Sequence, residues 1–163
     1  MLTFERGQNR FNYRVAGVFL DQAKILLHIT QEAPFWLLPG GRCEMGEASD
    51  EAITREMQEE LEIQVKIERL LWIVENFFEY SHYHFHELAF YYLLSMPTDC
   101  ELLYKSTFTA QDSGVTLYFQ WFSLNELDAL ELYPAFLKTD LLHLPLNPHH
   151  IIHRDPRVSR QVS

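Results

Sequence analysis

Between Gly40 and Ile63 the chain reads GGRCEMGEASDEAITREMQEELEI, and no other stretch constrains its folding as much. Ser49 is a candidate helix N-cap. Asp50 and Glu51 then meet the positive end of the helix dipole. Ile53, Met57 and Leu61 repeat every four residues and give the helix one apolar stripe. On such a helix Glu56, Glu59 and Glu60 fall within an arc of about 100°, with neighbouring Cβ atoms about 5–6 Å apart. Like charges so placed cost roughly 0.2–0.5 kcal/mol per pair, and Arg55 is the only cation between Ser49 and Ile63. A divalent cation would relieve that repulsion, and clustered carboxylates completed by water suit magnesium or manganese. Taken alone, the same glutamates also read as the wet face of an amphipathic helix. The bend before them favours chemistry. Pro39-Gly40-Gly41 forces a turn, its glycines let backbone approach a metal or phosphate closely, and Gly46 allows a second bend before Glu47.

These spacings resemble a known family. Gly41, five residues, Glu47, seven residues, Arg55-Glu56-Met57-Gln58-Glu59-Glu60 and then Ile63 are similar to the Nudix box of MutT-like pyrophosphohydrolases. Leu38-Pro39-Gly40, Glu44, Gly46 and Ala52 also fit common choices of that family. One departure is Glu62, where the family usually has glycine. If that position needs φ > 0, glutamate costs about 1 kcal/mol there and the helix ends differently.

The resemblance implies an α/β (α+β) fold, a mixed β-sheet sandwiched between helices. It implies Glu56 and Glu60 as principal metal ligands, Glu59 sharing the coordination, and the Gly40 carbonyl as a further ligand. Arg55 is expected to hold the loop and orient a glutamate through a salt bridge to Glu47. The implied reaction is hydrolysis of a nucleoside diphosphate linked to another moiety, with Mg2+ or Mn2+ as cofactor. Metal ions would neutralise phosphates and lower the pKa of water, and a carboxylate would take the proton. Glu60 and Glu87 are both candidates for that base. Glu87 enters an apolar strand, where an unpaired carboxylate is costly; the bland alternative is a strand-end acid in water.

No internal repeat or Gly/Ser linker divides the 163 residues, so one domain over 1–163 is expected, with a frayed polar tail from about residue 154. Strand patterns run over 13–20, 24–29, 64–78, 87–95 and 115–122, with a hairpin at Asp21-Gln22 and a polar aromatic segment before Glu87. Residues 123–130 and 134–142 read as short helices. His82, His84 and His86 would share one strand face, a weak zinc pattern without Cys or acidic partners there. With 12 Phe, 8 Tyr and 3 Trp, ring faces for a nucleobase are abundant; Trp36, Arg42, Phe78 and Tyr80 are the substrate-binding candidates, Phe77 and Tyr83 lying nearby. No proline lies between Ile63 and Met96, and Tyr80 follows the box, which by resemblance leans away from ADP-ribose.

A formal charge of −10 disfavours duplex nucleic acid and leaves a small nucleotide as the expected partner. No run of about eighteen apolar residues or signal peptide is present, so no membrane partner is expected. Only Cys43 and Cys100 occur, which points to reduced thiols and a cytoplasmic setting. Relatives are often homodimers, though no interface stripe is visible here. The rival readings are a nucleotide sensor that does not cut and an RNA 5′-end pyrophosphohydrolase.

Overall fold

A computed structural model describes residues 1–156. Its elements are β1 (Thr3–Arg6), β2 (Asn9–Asp21), β3 (Lys24–Ile29), β4 (Gly40–Arg42), α1 (Ser49–Leu61), β5 (Lys66–Tyr80), β6 (Tyr83–Ser95), β7 (Thr107–Asp112), β8 (Val115–Ser123), α2 (Leu137–Asp140) and β9 (His149–Arg154). They build one mixed sheet in the order β7-β8-β3-β2-β6-β5-β9, with β1 and β4 also paired to β2. The β2–β6 and β5–β9 pairs are parallel and the others antiparallel. No helix among the described residues is long and apolar enough to cross a membrane.

Alternation along the strands divides the apolar side chains between two cores. Val15 and Phe19 of β2 pack with Ile53, Met57 and Leu61 of α1 on one face. Ala16 and Val18 join Trp72, Val74, Tyr91, Leu127 and Leu137 on the other. The α1 stripe expected from the four-residue spacing is thus buried, while α1 crosses β2 beside β4.

Several boundaries differ from the sequence reading. The N-cap of α1 is Ala48, in extended conformation, and its N–H goes to the Glu51 carboxylate at 2.9 Å. Ser49 is the first helical residue, and its hydroxyl bonds the Tyr92 hydroxyl at 2.6 Å. Glu62 does take the left-handed conformation, φ 57°, which glycine enters at least cost, so the helix keeps a left-handed C-terminal cap despite the side chain. The polar aromatic segment before Glu87 is a hairpin turned at Ser81 and His82, both with positive φ. His82 therefore lies in the turn, off the strand face expected to carry it with His84 and His86. Parallel pairing with β6, remote in sequence, extends β2, and pairing with β5 creates β9. Strands β1 and β7 arise as hairpins with β2 and β8, which the sequence reading does not single out.

The second helical layer is thinner than expected. Residues 124–129 form a 3-10 turn, with the Ser123 N–H on the Glu126 carboxylate. The next segment is held extended because Trp36 pairs with Leu132 and bonds both flanking residues. Only Leu137–Asp140 remains for α2. Arg154, placed at the start of a frayed tail, belongs to β9, and Asp155 is buried with its N–H on the Phe77 carbonyl at 2.9 Å. The rest of that expected tail, 157–163, lies outside the described residues.

Candidate active site

The glycine bend is built against β2 and α1. At Gly40, φ is +155°, and an added Cβ would lie 2.1 Å from the Val15 carbonyl oxygen. At Gly41 an added Cβ would lie 2.2 Å from the carboxyl carbon of Glu56. Only glycine lets the loop come this close to the helix, as the sequence pattern implied.

Arg55 ties loop to helix. Its Nε meets Glu47 Oε1 at 2.7 Å and its Nη2 meets Glu47 Oε2 at 3.0 Å, a bidentate pair. Nη2 also donates to the Arg42 carbonyl at 3.1 Å, and Nη1 to Glu56 at 2.7 Å and Glu59 at 3.3 Å. The Arg55 hydrogen bond holds Glu47 below the usual carboxylate range. The expected pairing of Arg55 with Glu47 is present.

The three box glutamates are not equivalent. Glu56 and Glu60 are buried, whereas the Glu59 side chain is 55 % exposed beside Arg55. Burial raises the Glu56 carboxyl against the opposing pull of Arg55. Burial pushes Glu60 up to about 8; the Glu56 charge adds to this, and Arg14 and the Gly40 N–H oppose it. Glu60 Oε2 is buried without a hydrogen-bond partner among the described residues. Gly40 reaches Glu60 through its N–H, which places the bend against the carboxylate. Among the described residues no three His, Cys, Asp or Glu side chains converge closely enough to hold a metal unaided. Of the three box glutamates, Glu56 and Glu60 are the buried ones, and water or substrate oxygens would help complete a cation's shell there.

On the other face of β2, Arg10, Asn12 and Arg14 alternate into a cavity of about 510 Å³, an ordinary size for a small-molecule site. Arg42, Phe78, Tyr80 and Glu87, all candidates from sequence, line it. Trp36 does not; it packs edge-on against Phe122 at 4.6 Å, beside the core. Its neighbour Phe35 lines the cavity with Tyr133, Glu131 and Asp155, none of which carried a local signal. Arg10 and Arg14 were legible in principle, as polar residues that with Asn12 are spaced by two along a strand.

Glu87 lies in the cavity floor, flanked by Asn12 on β2 and Asn76 on β5 in one register row. Burial raises its carboxyl, offset by Arg14, by hydrogen bonds from Asn76 and Asn12, and by Arg42. The Arg14 guanidinium, anchored on the Leu38 carbonyl at 3.3 Å, acts on both Glu60 and Glu87. Burial and the charges of Arg14 and Arg10 lower the Arg42 guanidinium. So concentrated a positive charge beside a pair of buried carboxylates suits a bound cation on one side and phosphate oxygens on the other.

A NUDIX domain family model matches residues 11–140. Curated proteins show no match. Among solved structures, the chain is similar to an ADP-ribose pyrophosphatase of Streptococcus suis 89-1591, with TM-score 0.58 and 18 % identity over 87 % of this chain and 98 % of that one. A NUDIX hydrolase from Nitrosomonas europaea gives TM-score 0.60 and 17 % identity over 88 % and 79 %. A MutT protein from Bacillus halodurans gives 0.58 and 16 % over 88 % and 89 %. These likenesses establish the fold. With the family match spanning the bend, the Arg55 helix and most of the sheet, the chain belongs to the Nudix hydrolase family.

Proposed function

We propose that this chain, as one catalytic unit, hydrolyses a phosphoanhydride bond in a nucleoside diphosphate linked to another moiety, with Mg2+ or Mn2+. The observation that carries this reading is the unpartnered, buried Glu60 Oε2 beside Glu56 and the glycine bend. A buried carboxylate oxygen with no donor is costly, and a hard cation satisfies it. Glu56 and Glu60 would hold that ion, with Glu59 at the periphery and Arg55 positioning Glu56 and the loop. The metal supplies charge neutralisation and an acidified water.

Arg10, Arg14 and Arg42 bind the phosphates, which offsets the chain's negative charge locally. Water adds to phosphorus, the bridging P–O bond breaks, and the proton of the water passes to a carboxylate. Glu60 and Glu87 remain the two candidates. Glu60's place at the metal favours Glu87, whose raised pKa suits a proton acceptor. Phe78 and Tyr80 line the space for the organic moiety.

The test is a panel of ADP-ribose, diadenosine polyphosphates, nucleoside triphosphates, coenzyme A and sugar nucleotides with magnesium or manganese. Turnover of at least one member is expected, lost with chelator. In Glu56→Gln and Glu60→Gln it should fall about 100-fold or more, with unchanged circular dichroism. Tight nucleotide binding with no turnover anywhere in the panel would replace this reading with the sensor.

A further inference from the structure

Three loops meet at the rim of the cavity and are hydrogen-bonded to one another. Tyr80 donates its hydroxyl to the Glu32 carbonyl at 3.1 Å. The Trp36 N–H donates to the Glu131 carbonyl at 2.8 Å, and the Tyr133 N–H to the Trp36 carbonyl at 3.1 Å. The rings of Tyr80 and Tyr133 both stand nearly perpendicular to Phe35, at centroid distances of 5.6 and 5.2 Å. Ring surfaces gathered this way suit a flat aromatic ligand.

Glu131 is an exposed residue that lines the same cavity as these rings. Its carboxylate accepts the Tyr133 hydroxyl at 3.1 Å. No cationic side chain forms an ion pair with it among the described residues. An ionised carboxylate has about four acceptor sites and no donor, so Glu131 keeps capacity for donors from a ligand. The floor, by contrast, presents Arg10, Arg14 and Arg42. An anionic group belongs at those arginines, and an uncharged group rich in N–H donors belongs at Glu131.

We propose that Glu131 is a specificity-determining residue that selects guanine as the base of the substrate. This rests on the reading of the cavity as the substrate site. Guanine carries N1–H and its 2-amino group side by side, and the pair matches the two oxygens of a carboxylate. Adenine sets a bare ring nitrogen beside its amino group, so one lone pair would confront a carboxylate oxygen. A ribose cis-diol offers two adjacent donors as well. The rings of Phe35, Tyr80 and Tyr133, which line the same cavity as Glu131, favour the base over the sugar.

Isothermal titration of the full chain in EDTA, with GDP, IDP, ADP and 2′-deoxy-GDP, tests this without turnover. GDP should bind at least about tenfold more tightly than ADP, since a good bidentate pair discriminates by that order. IDP, lacking the 2-amino group, should fall between them, and 2′-deoxy-GDP should match GDP. Glu131→Gln should swing the preference towards ADP, because a carboxamide pairs bidentately with adenine. Glu131→Ala should level the two.

Equal affinities in the wild-type chain would overturn the proposal. So would a guanine preference that survives both substitutions, a preference that follows the 2′-hydroxyl, or failure of all four to bind. Metal-dependent turnover without base preference removes only this inference. Guanine-selective binding with no turnover in magnesium or manganese leaves it standing and removes the hydrolase reading.

Discussion

His28 shows how much one side chain is committed by burial. It lies in β3 at 6 % exposure, against Phe119 at 5.4 Å, and neither ring nitrogen has a hydrogen bond of normal geometry. Burial lowers its pKa to about 4; Arg14 adds to this, and the Leu38 backbone opposes it weakly. The folded state therefore refuses a proton that the unfolded chain accepts near 6.5. The resulting stability is complete above pH 6.5 and is lost as pH falls towards the folded value. Going from pH 7.5 to 5 should cost the wild-type chain about 2 kcal/mol more than His28→Leu, a difference read from urea unfolding of both. A variant that loses as much as the wild type would mean that the imidazole is protonated in place. Nothing in KILLHI announced this, because the environment of His28 is set by Arg14 and Phe119, distant in sequence. The same holds for Trp36 and Phe35. Both are aromatic and adjacent, and only the opposed directions of neighbouring side chains decide which one enters the cavity.

At the scale of elements, α1 was legible nearly to the residue, because its stripe, its acidic first turn and its fixed box spacings are all local. Its ends were not, because caps depend on the geometry around them. Glu62 carries φ 57° and ψ 31° and gives its N–H to the Gln58 carbonyl at 3.1 Å. It holds a left-handed conformation that costs a side chain about 1 kcal/mol and places an anion at the negative end of the dipole. Glu62→Gly should raise the unfolding free energy by about 0.5–1 kcal/mol and Tm by about 2–4 °C in calorimetry. Glu62→Ala, which removes the charge but keeps the strain, should gain less than half of that. Equal gains would trace the effect to charge alone. Strands β1, β7 and β9 were illegible for a related reason. Their sequences TFER, TFTAQD and HHIIHR are short or polar; hairpin pairing to β2 and β8 makes strands of the first two, and the distant β5 makes one of the third.

At the scale of the molecule, the sheet joins two half-sites that lie far apart in sequence. The glycine bend and α1 carry the carboxylate pair, and β2, β5, β6 and β9 carry the cavity floor, with Arg14 acting on both. The box residues were readable because their spacing within one helix is itself the geometry. The floor was not, because the row of Asn12, Glu87, Asn76 and His153 exists only through the registers of four strands. The last of these strands tests whether the site depends on the sheet as a whole. β9 covers the open edge of β5, lays Arg154 over the Phe77 ring at 4.1 Å and brings His153 and Asp155 into the cavity wall. A chain ending at Pro148 should lose at least about 2 kcal/mol of stability, or about 4–8 °C in Tm. It should also aggregate more readily through the uncovered strand. KM should rise about tenfold or more while metal affinity changes little, because Glu56 and Glu60 belong to α1 and the bend. Calorimetry, light scattering and steady-state kinetics would read the three effects. Unaltered KM in the shortened chain would place the substrate away from β9 and leave the arginines of β2 and β4 as its main hold.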